Sequence, residues 1–110
     1  MMSKSIVFCI PILLLLLFDL SSAVSCPNKC LCSHLNVICT GQSLTQIPSG
    51  IPIDTIRLDL QENQISVIRK DDLNDLPNLR VLQLMDNEVS VIEPGAFNNL
   101  TKLERMYVSH

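Results

Sequence analysis

The sequence predicts an α/β-type solenoid in which short parallel strands stack on a concave face, with a disulfide-stapled cap at the N-terminal end and none at the C-terminal end. Three observations predict it. The segment "TIRLDLQENQISVIRKDDLNDL" recurs as "LRVLQLMDNEVSVIEPGAFNNL", so Leu58, Leu60, Asn63, Ile65, Ile68, Leu73 and Leu76 correspond at one constant interval, without a gap, to Leu82, Leu84, Asn87, Val89, Ile92, Phe97 and Leu100. That spacing fits neither one helix nor one strand. Within each copy the leucines alternate with outward neighbours over a strand length, and ahead of the copies four cysteines crowd between Cys26 and Cys39.

The repeat has the form L-x-x-L-x-L-x-x-N-x-I/V, the leucine-rich-repeat signature, in which each unit is a strand, a turn and a less regular return segment. A third copy starts at Leu103 and continues through Met106 and Val108, and His110 falls just before the next expected asparagine. The stretch 53–110 is therefore expected to hold two complete 24-residue repeats, the interval from Leu58 to Leu82, and a truncated third. On a strand of period 2, Leu82 and Leu84 point into the solenoid while Val81 and Gln83 point out. Asn63 and Asn87 sit where the strand turns inward, and a side-chain amide buried there can bond backbone groups of its own and the adjacent coil. They are expected to form a structural ladder, with about 1–3 kcal/mol at stake for each partner left unsatisfied.

The chain opens "MMSKSIVFCIPILLLLLFDLSSAVSC", with Lys4, an apolar run from Ile6 to Phe18 and small residues before Cys26. These are the three parts of a secretory signal, expected to span residues 1–25, with cleavage after Ser25 or after Ala23. The run is interrupted by Pro11, and it falls well short of the roughly 20 apolar residues that a spanning helix needs. Lys4 and Asp19 leave with the signal, so Lys+Arg falls from eight to seven, Asp+Glu from eleven to ten, and the net charge stays at −3. Nucleic acid, whose binding rests on phosphate neutralisation, is a poor partner for such a chain. A secreted, extracellular location is expected.

Cys9 also leaves with the signal, which keeps Cys26, Cys30, Cys32 and Cys39 in the spacing C-x3-C-x-C-x6-C. In a secreted chain this even set reads as two disulfides, with three connectivities open. Zinc is the rival reading because His34 lies among them, but an oxidising route and the lack of paired C-x2-4-C knuckles speak against a metal. Residues 26–52 are expected to form the cap. Its end is a degenerate repeat, since Val37, Cys39, Gln42, Leu44 and Ile47 keep step with Leu58, Leu60, Asn63, Ile65 and Ile68 at a slightly shorter interval. Pro48 and Pro52 make a stiff turn between cap and first full repeat.

The cap "CPNKCLCSHLNVICTGQSLTQIPSGIP" resembles the N-terminal cysteine flank of extracellular leucine-rich-repeat proteins. The repeats, above all "LRVLQLMDN", resemble the start of the first leucine-rich domain of the Slit family of secreted axon-guidance ligands. The resemblance implies cap pairs Cys26–Cys32 and Cys30–Cys39. It also implies an N-terminal part of a longer guidance ligand, with Roundabout-type receptors engaged through a domain that lies beyond this chain, and heparan sulfate as a further partner of the full-length protein. The alternatives are the start of another extracellular leucine-rich-repeat receptor or matrix protein, or of a peroxidasin-like enzyme.

For this chain itself an enzyme has little support. It has no G-x-S-x-G, no phosphate-binding glycine loop, three glycines and two histidines, one of them terminal. No cofactor is expected. A protein-interaction surface is expected on the outward strand positions instead: Arg57, Asp59, Gln61 and Glu62, then Val81, Gln83, Met85 and Asp86, then Arg105, Tyr107, Ser109 and His110. Val81, Met85 and Tyr107 would form an apolar streak among charges, and tyrosine is enriched at interfaces. Asn99-Leu100-Thr101 matches the N-glycosylation sequon. The unpaired edge of the third strand would invite self-association.

Overall fold

The computed structural model describes residues 26–109. The leader read in residues 1–25 and the candidate contact His110 lie outside the described residues. Seven strands build two sheets: β1 (Leu31–Ser33), β2 (Asn36–Ile38), β3 (Arg57–Asp59), β4 (Val67–Ile68), β5 (Val81–Leu84), β6 (Val91–Ile92) and β7 (Arg105–Val108). The larger sheet has the order β1-β2-β3-β5-β7 and the smaller one pairs β4 with β6. Every pairing is parallel except β1 with β2. Parallel neighbours need a crossover, and each return segment supplies it.

The repeat interval is the register of the stack. Leu58 pairs with Leu82 and Leu82 with Met106, while Val37 of the cap pairs with Leu58. Alternation then sends Leu58, Leu60, Leu82 and Leu84 inward, all at 0% exposure, against Ile65, Ile68, Leu73 and Leu79 from the turns and returns. The core lies between the two sheets. Arg57, Asp59, Val81 and Gln83 face outward and are half-buried.

Three features go beyond the sequence pattern. Among the described residues the return segments hold turns and the short strands β4 and β6 rather than helices. The cap begins with an antiparallel hairpin, turned at His34 and Leu35, with His34 in the left-handed region at φ 57°. Thr55 stands where the later copies have Leu79 and Leu103, and it is buried at 1% exposure. A buried hydroxyl needs a partner, and Thr55 Oγ1 donates to the Pro52 carbonyl at 2.6 Å.

Ile92 does not share the burial of its counterpart. Ile68 is fully buried under β6, whereas Ile92 is 45% exposed because no described strand covers its other side. Met106 and Val108, inward by register, are uncovered for the same reason.

The residue before each turn position is left-handed: Gly41, Glu62 and Asp86 have φ of 65°, 59° and 58°. These are equivalent places in three successive coils. A side chain there costs roughly 1–2 kcal/mol in backbone strain, which glycine avoids at an entropic cost of its own. Glu62→Gly is therefore expected to be neutral or stabilising by up to about 1 kcal/mol. Urea unfolding checks it, and a loss beyond that size would show that the Glu62 side chain has a structural partner.

Candidate interaction face

The outward positions form three rows across the larger sheet. Asn36, Arg57, Val81 and Arg105 make the first; Ile38, Asp59, Gln83 and Tyr107 make the second; Gln61 and Met85 lie beyond the strand ends in the third. By this register Tyr107 is a diagonal neighbour of both Val81 and Met85, within the reach of an aromatic side chain. Tyr107 is 40% and Met85 38% exposed, and Val81 is half-buried between Arg57 and Arg105. An apolar patch with a cationic edge results.

The polar members of the face are less free than their outward positions suggest. Asp59 is held by three groups: its carboxylate lies 3.5 Å from the Arg57 guanidinium and accepts from the Gln61 N–H at 3.1 Å and Thr40 Oγ1 at 3.3 Å. Gln83 Oε1 accepts from the Met85 N–H at 3.1 Å, and Ser109 Oγ accepts from the Asp86 N–H at 3.1 Å. Thus Asp59, Gln83 and Ser109 brace the strand exits. Glu62 and Arg105 are exposed, with no side-chain hydrogen bond or ion pair among the described residues. Alternation alone reveals which residues point out, but not which of them are already bonded.

Behind the face, Asn63 and Asn87 tie the coils together. Asn63 Nδ2 donates to the carbonyls of Cys39 (2.9 Å), Leu60 (2.9 Å) and Gln61 (3.2 Å), and its Oδ1 accepts from the N–H groups of Gln42 (2.9 Å) and Leu44 (3.0 Å). Asn87 repeats this one coil on, donating to Leu60 (2.8 Å), Leu84 (3.1 Å) and Met85 (3.3 Å) and accepting from Ile65 (3.0 Å). Each amide therefore bonds its own coil and the one before. Gln42, at the matching place in the cap, has an exposed side chain and contributes its backbone N–H to the ladder.

The cap pairs Cys26 with Cys32 and Cys30 with Cys39. Cys30 and Cys39 belong to the core, while Cys32 is exposed. His34, in the hairpin turn, is exposed, and among the described residues no group of three His, Cys, Asp or Glu side chains is placed to hold a metal. The clefts lie off the face; one of about 190 Å³ is lined by the Pro48–Ile51 turn with Asp71, Asp72 and Asp75. Asn99 is exposed on the return segment between β6 and β7, and its Nδ2 donates to Asn74 Oδ1 at 2.8 Å.

A disulfide-closed first coil, parallel strands in a constant register and an asparagine ladder define an extracellular-type leucine-rich-repeat solenoid. The chain belongs to the leucine-rich-repeat family: the model described as "Leucine rich repeat" matches residues 56–110, and that described as "Leucine rich repeat N-terminal domain" matches residues 25–52. Among similar proteins, mouse leucine-rich repeat-containing protein 4B is 48% identical over 63 residues, which is 56% of this chain and 9% of that protein. The zebrafish leucine-rich repeat and immunoglobulin-like domain-containing nogo receptor-interacting protein 1-B is 44% identical over 78 residues, 67% of this chain and 12% of that protein. The peroxidasin homolog pxn-2 of Caenorhabditis elegans is 41% identical over 70 residues, 64% of this chain and 5% of that protein. The chain thus spans a small part of these relatives. The crystal structure of human 5T4 (Wnt-activated inhibitory factor 1, trophoblast glycoprotein) shares the fold with a TM-score of 0.54 at 23% identity, over 77% of this chain and 41% of that one.

Proposed function

We propose that the chain is a secreted, extracellular protein–protein interaction module whose contact surface is the outer face of the larger sheet. The observation that carries this is the patch of Val81, Met85 and Tyr107, which lies outside the core on a braced strand surface with Arg57 and Arg105 at its rim. An aromatic ring and a methionine beside arginines are the residue types enriched at interfaces. The cap supports the extracellular reading, since disulfides persist in oxidising compartments.

The finer reading, a Slit-like guidance ligand, rests on the stretch "LRVLQLMDN". A second reading, the front of a repeat-bearing receptor or matrix protein, is supported by the likeness to the nogo receptor-interacting protein, and the likeness to pxn-2 supports a peroxidasin-like chain. In the same proposal, residues 1–25 are a cleaved leader and Roundabout-type receptors and heparan sulfate engage other parts of a longer protein. For the chain taken by itself, the side of β7 that carries Met106 and Val108 is where a second copy would add a strand.

The test is binding of the secreted, disulfide-bonded chain to a panel of cell-displayed ectodomains, with Roundabout-type ectodomains included as the set expected to give no capture. For any ectodomain captured, Tyr107→Ala and Met85→Ala are each expected to weaken binding about tenfold, the size of an interface anchor, while the return-segment variant Lys70→Ala leaves it unchanged. Equal loss from Lys70→Ala, or none from Tyr107→Ala, would move the contact off this face.

A further inference from the structure

We propose that Asn99 carries an N-linked glycan, and that this sugar covers the return side of the solenoid while leaving the larger sheet open. Asn99-Leu100-Thr101 is the sole N-x-S/T sequence in the chain. The structure gives each of its members a suitable place. Asn99 and Thr101 are exposed, and Leu100 between them is buried at 7% exposure, so the side chains that the modification involves point outward around a fixed anchor. Phe97 and Leu100 hold the segment by packing, and the Leu100 N–H donates to the Phe97 carbonyl at 3.1 Å.

The donor class is an oligosaccharide carried on a polyprenyl pyrophosphate through C1 of its first N-acetylglucosamine. Asn99 Nδ2 forms the bond to C1, the C1–oxygen bond to the pyrophosphate breaks with its electron pair leaving on the pyrophosphate, and one amide proton passes to solvent. No oxidation or reduction is involved. The modified amide keeps one N–H, and in the folded chain Asn99 Nδ2 lies 2.8 Å from its single described acceptor, Asn74 Oδ1. Asn74 is itself tied to the same return face, since its Nδ2 donates to Asp71 Oδ1 at 2.9 Å. The sugar is thereby rooted beside Asp71 and Asn74 on the returns, in the connection that precedes β7 rather than on the strand face that carries Tyr107.

The inference rests on the secretory part of the proposed function, so the experiment separates the two. The full chain is expressed in glycosylating cells once with its own residues 1–25 and once behind an unrelated cleaved leader. The expected result is a secreted product whose gel mobility increases on treatment with peptide N-glycosidase, with deamidation found at position 99 by peptide mass analysis. Asn99→Gln and Thr101→Ala should each abolish that shift. The second variant leaves the Asn99–Asn74 bond in place and so reports on the sequon rather than on folding. A secreted, disulfide-bonded product that shows no shift behind either leader overturns the glycan, as does a shift that survives Thr101→Ala. A shifted product behind the unrelated leader only supports the glycan and overturns the native leader instead.

Discussion

Asn63→Ala is expected to cost about 3–5 kcal/mol and to shift the urea midpoint far below that of the parent. The substitution orphans the carbonyls of Cys39 and Leu60 and the N–H groups of Gln42 and Leu44, all of which Asn63 serves at 2.9–3.0 Å. Each buried group left without a partner costs about 1–3 kcal/mol, and those near the coil edge less because water reaches them. Against a total stability of about 5–15 kcal/mol for an ordinary domain, that is a large share. Asn63→Asp is expected to be no better, because a carboxylate would face the carbonyls of Cys39 and Leu60 with no proton to donate. The check is urea unfolding followed by circular dichroism, with the exposed neighbour Gln64→Ala as a control expected within about 0.5 kcal/mol of the parent. A loss below about 1 kcal/mol for Asn63→Ala would mean that the ladder is replaceable by water.

The paired substitution Cys30→Ser with Cys39→Ser is expected to be more damaging than Cys26→Ser with Cys32→Ser. The two bridges close loops of similar size, with sequence separations of 9 and 6. In the chain-entropy model both are then worth about 2–3 kcal/mol, so loop size does not decide between them. Burial does. Cys39 is completely buried and Cys30 nearly so, and two serine hydroxyls in that core would add about 1–3 kcal/mol each unless they found partners. Cys32 is exposed and Cys26 half-buried, so hydroxyls there remain in water. Thermal unfolding of the two double variants, secreted and purified side by side, reads the difference. Equal midpoints would show that the cap is held by loop closure alone.

The period, the direction of the strands and the identity of the core leucines were legible in the sequence because one interval repeats without a gap. Leu58 and Leu82 share a position in the motif and share a rung in the sheet. The hairpin of β1 and β2 was not legible, since Leu31, Cys32 and Ser33 are all exposed and have no apolar alternation to reveal a strand. Nor was Thr55, whose burial depends on the Pro52 carbonyl rather than on its own apolarity. On the candidate face the outward set followed from alternation, but the bracing of Asp59 by Arg57, Thr40 and Gln61 depends on atoms brought together across coils. Ile92 shows the limit from the other side: its place in the motif is that of a core residue, yet burial depends on what lies over it.

The cap and repeat coils differ in length, and the difference falls on one arc only. From inward strand residue to turn position the interval is the same in every coil, Val37 to Gln42, Leu58 to Asn63 and Leu82 to Asn87. The return to the next inward strand residue, by contrast, is shorter from Gln42 to Leu58 than from Asn63 to Leu82 or from Asn87 to Met106. One residue added between the two inward leucines of a strand would reverse the faces beyond it, sending a leucine into water. The shorter return of the cap leaves the register of β2, β3 and β5 untouched. The arc from strand to turn is therefore the ruler of the stack and the return its slack, and coils of unequal length share one register wherever that first arc is kept.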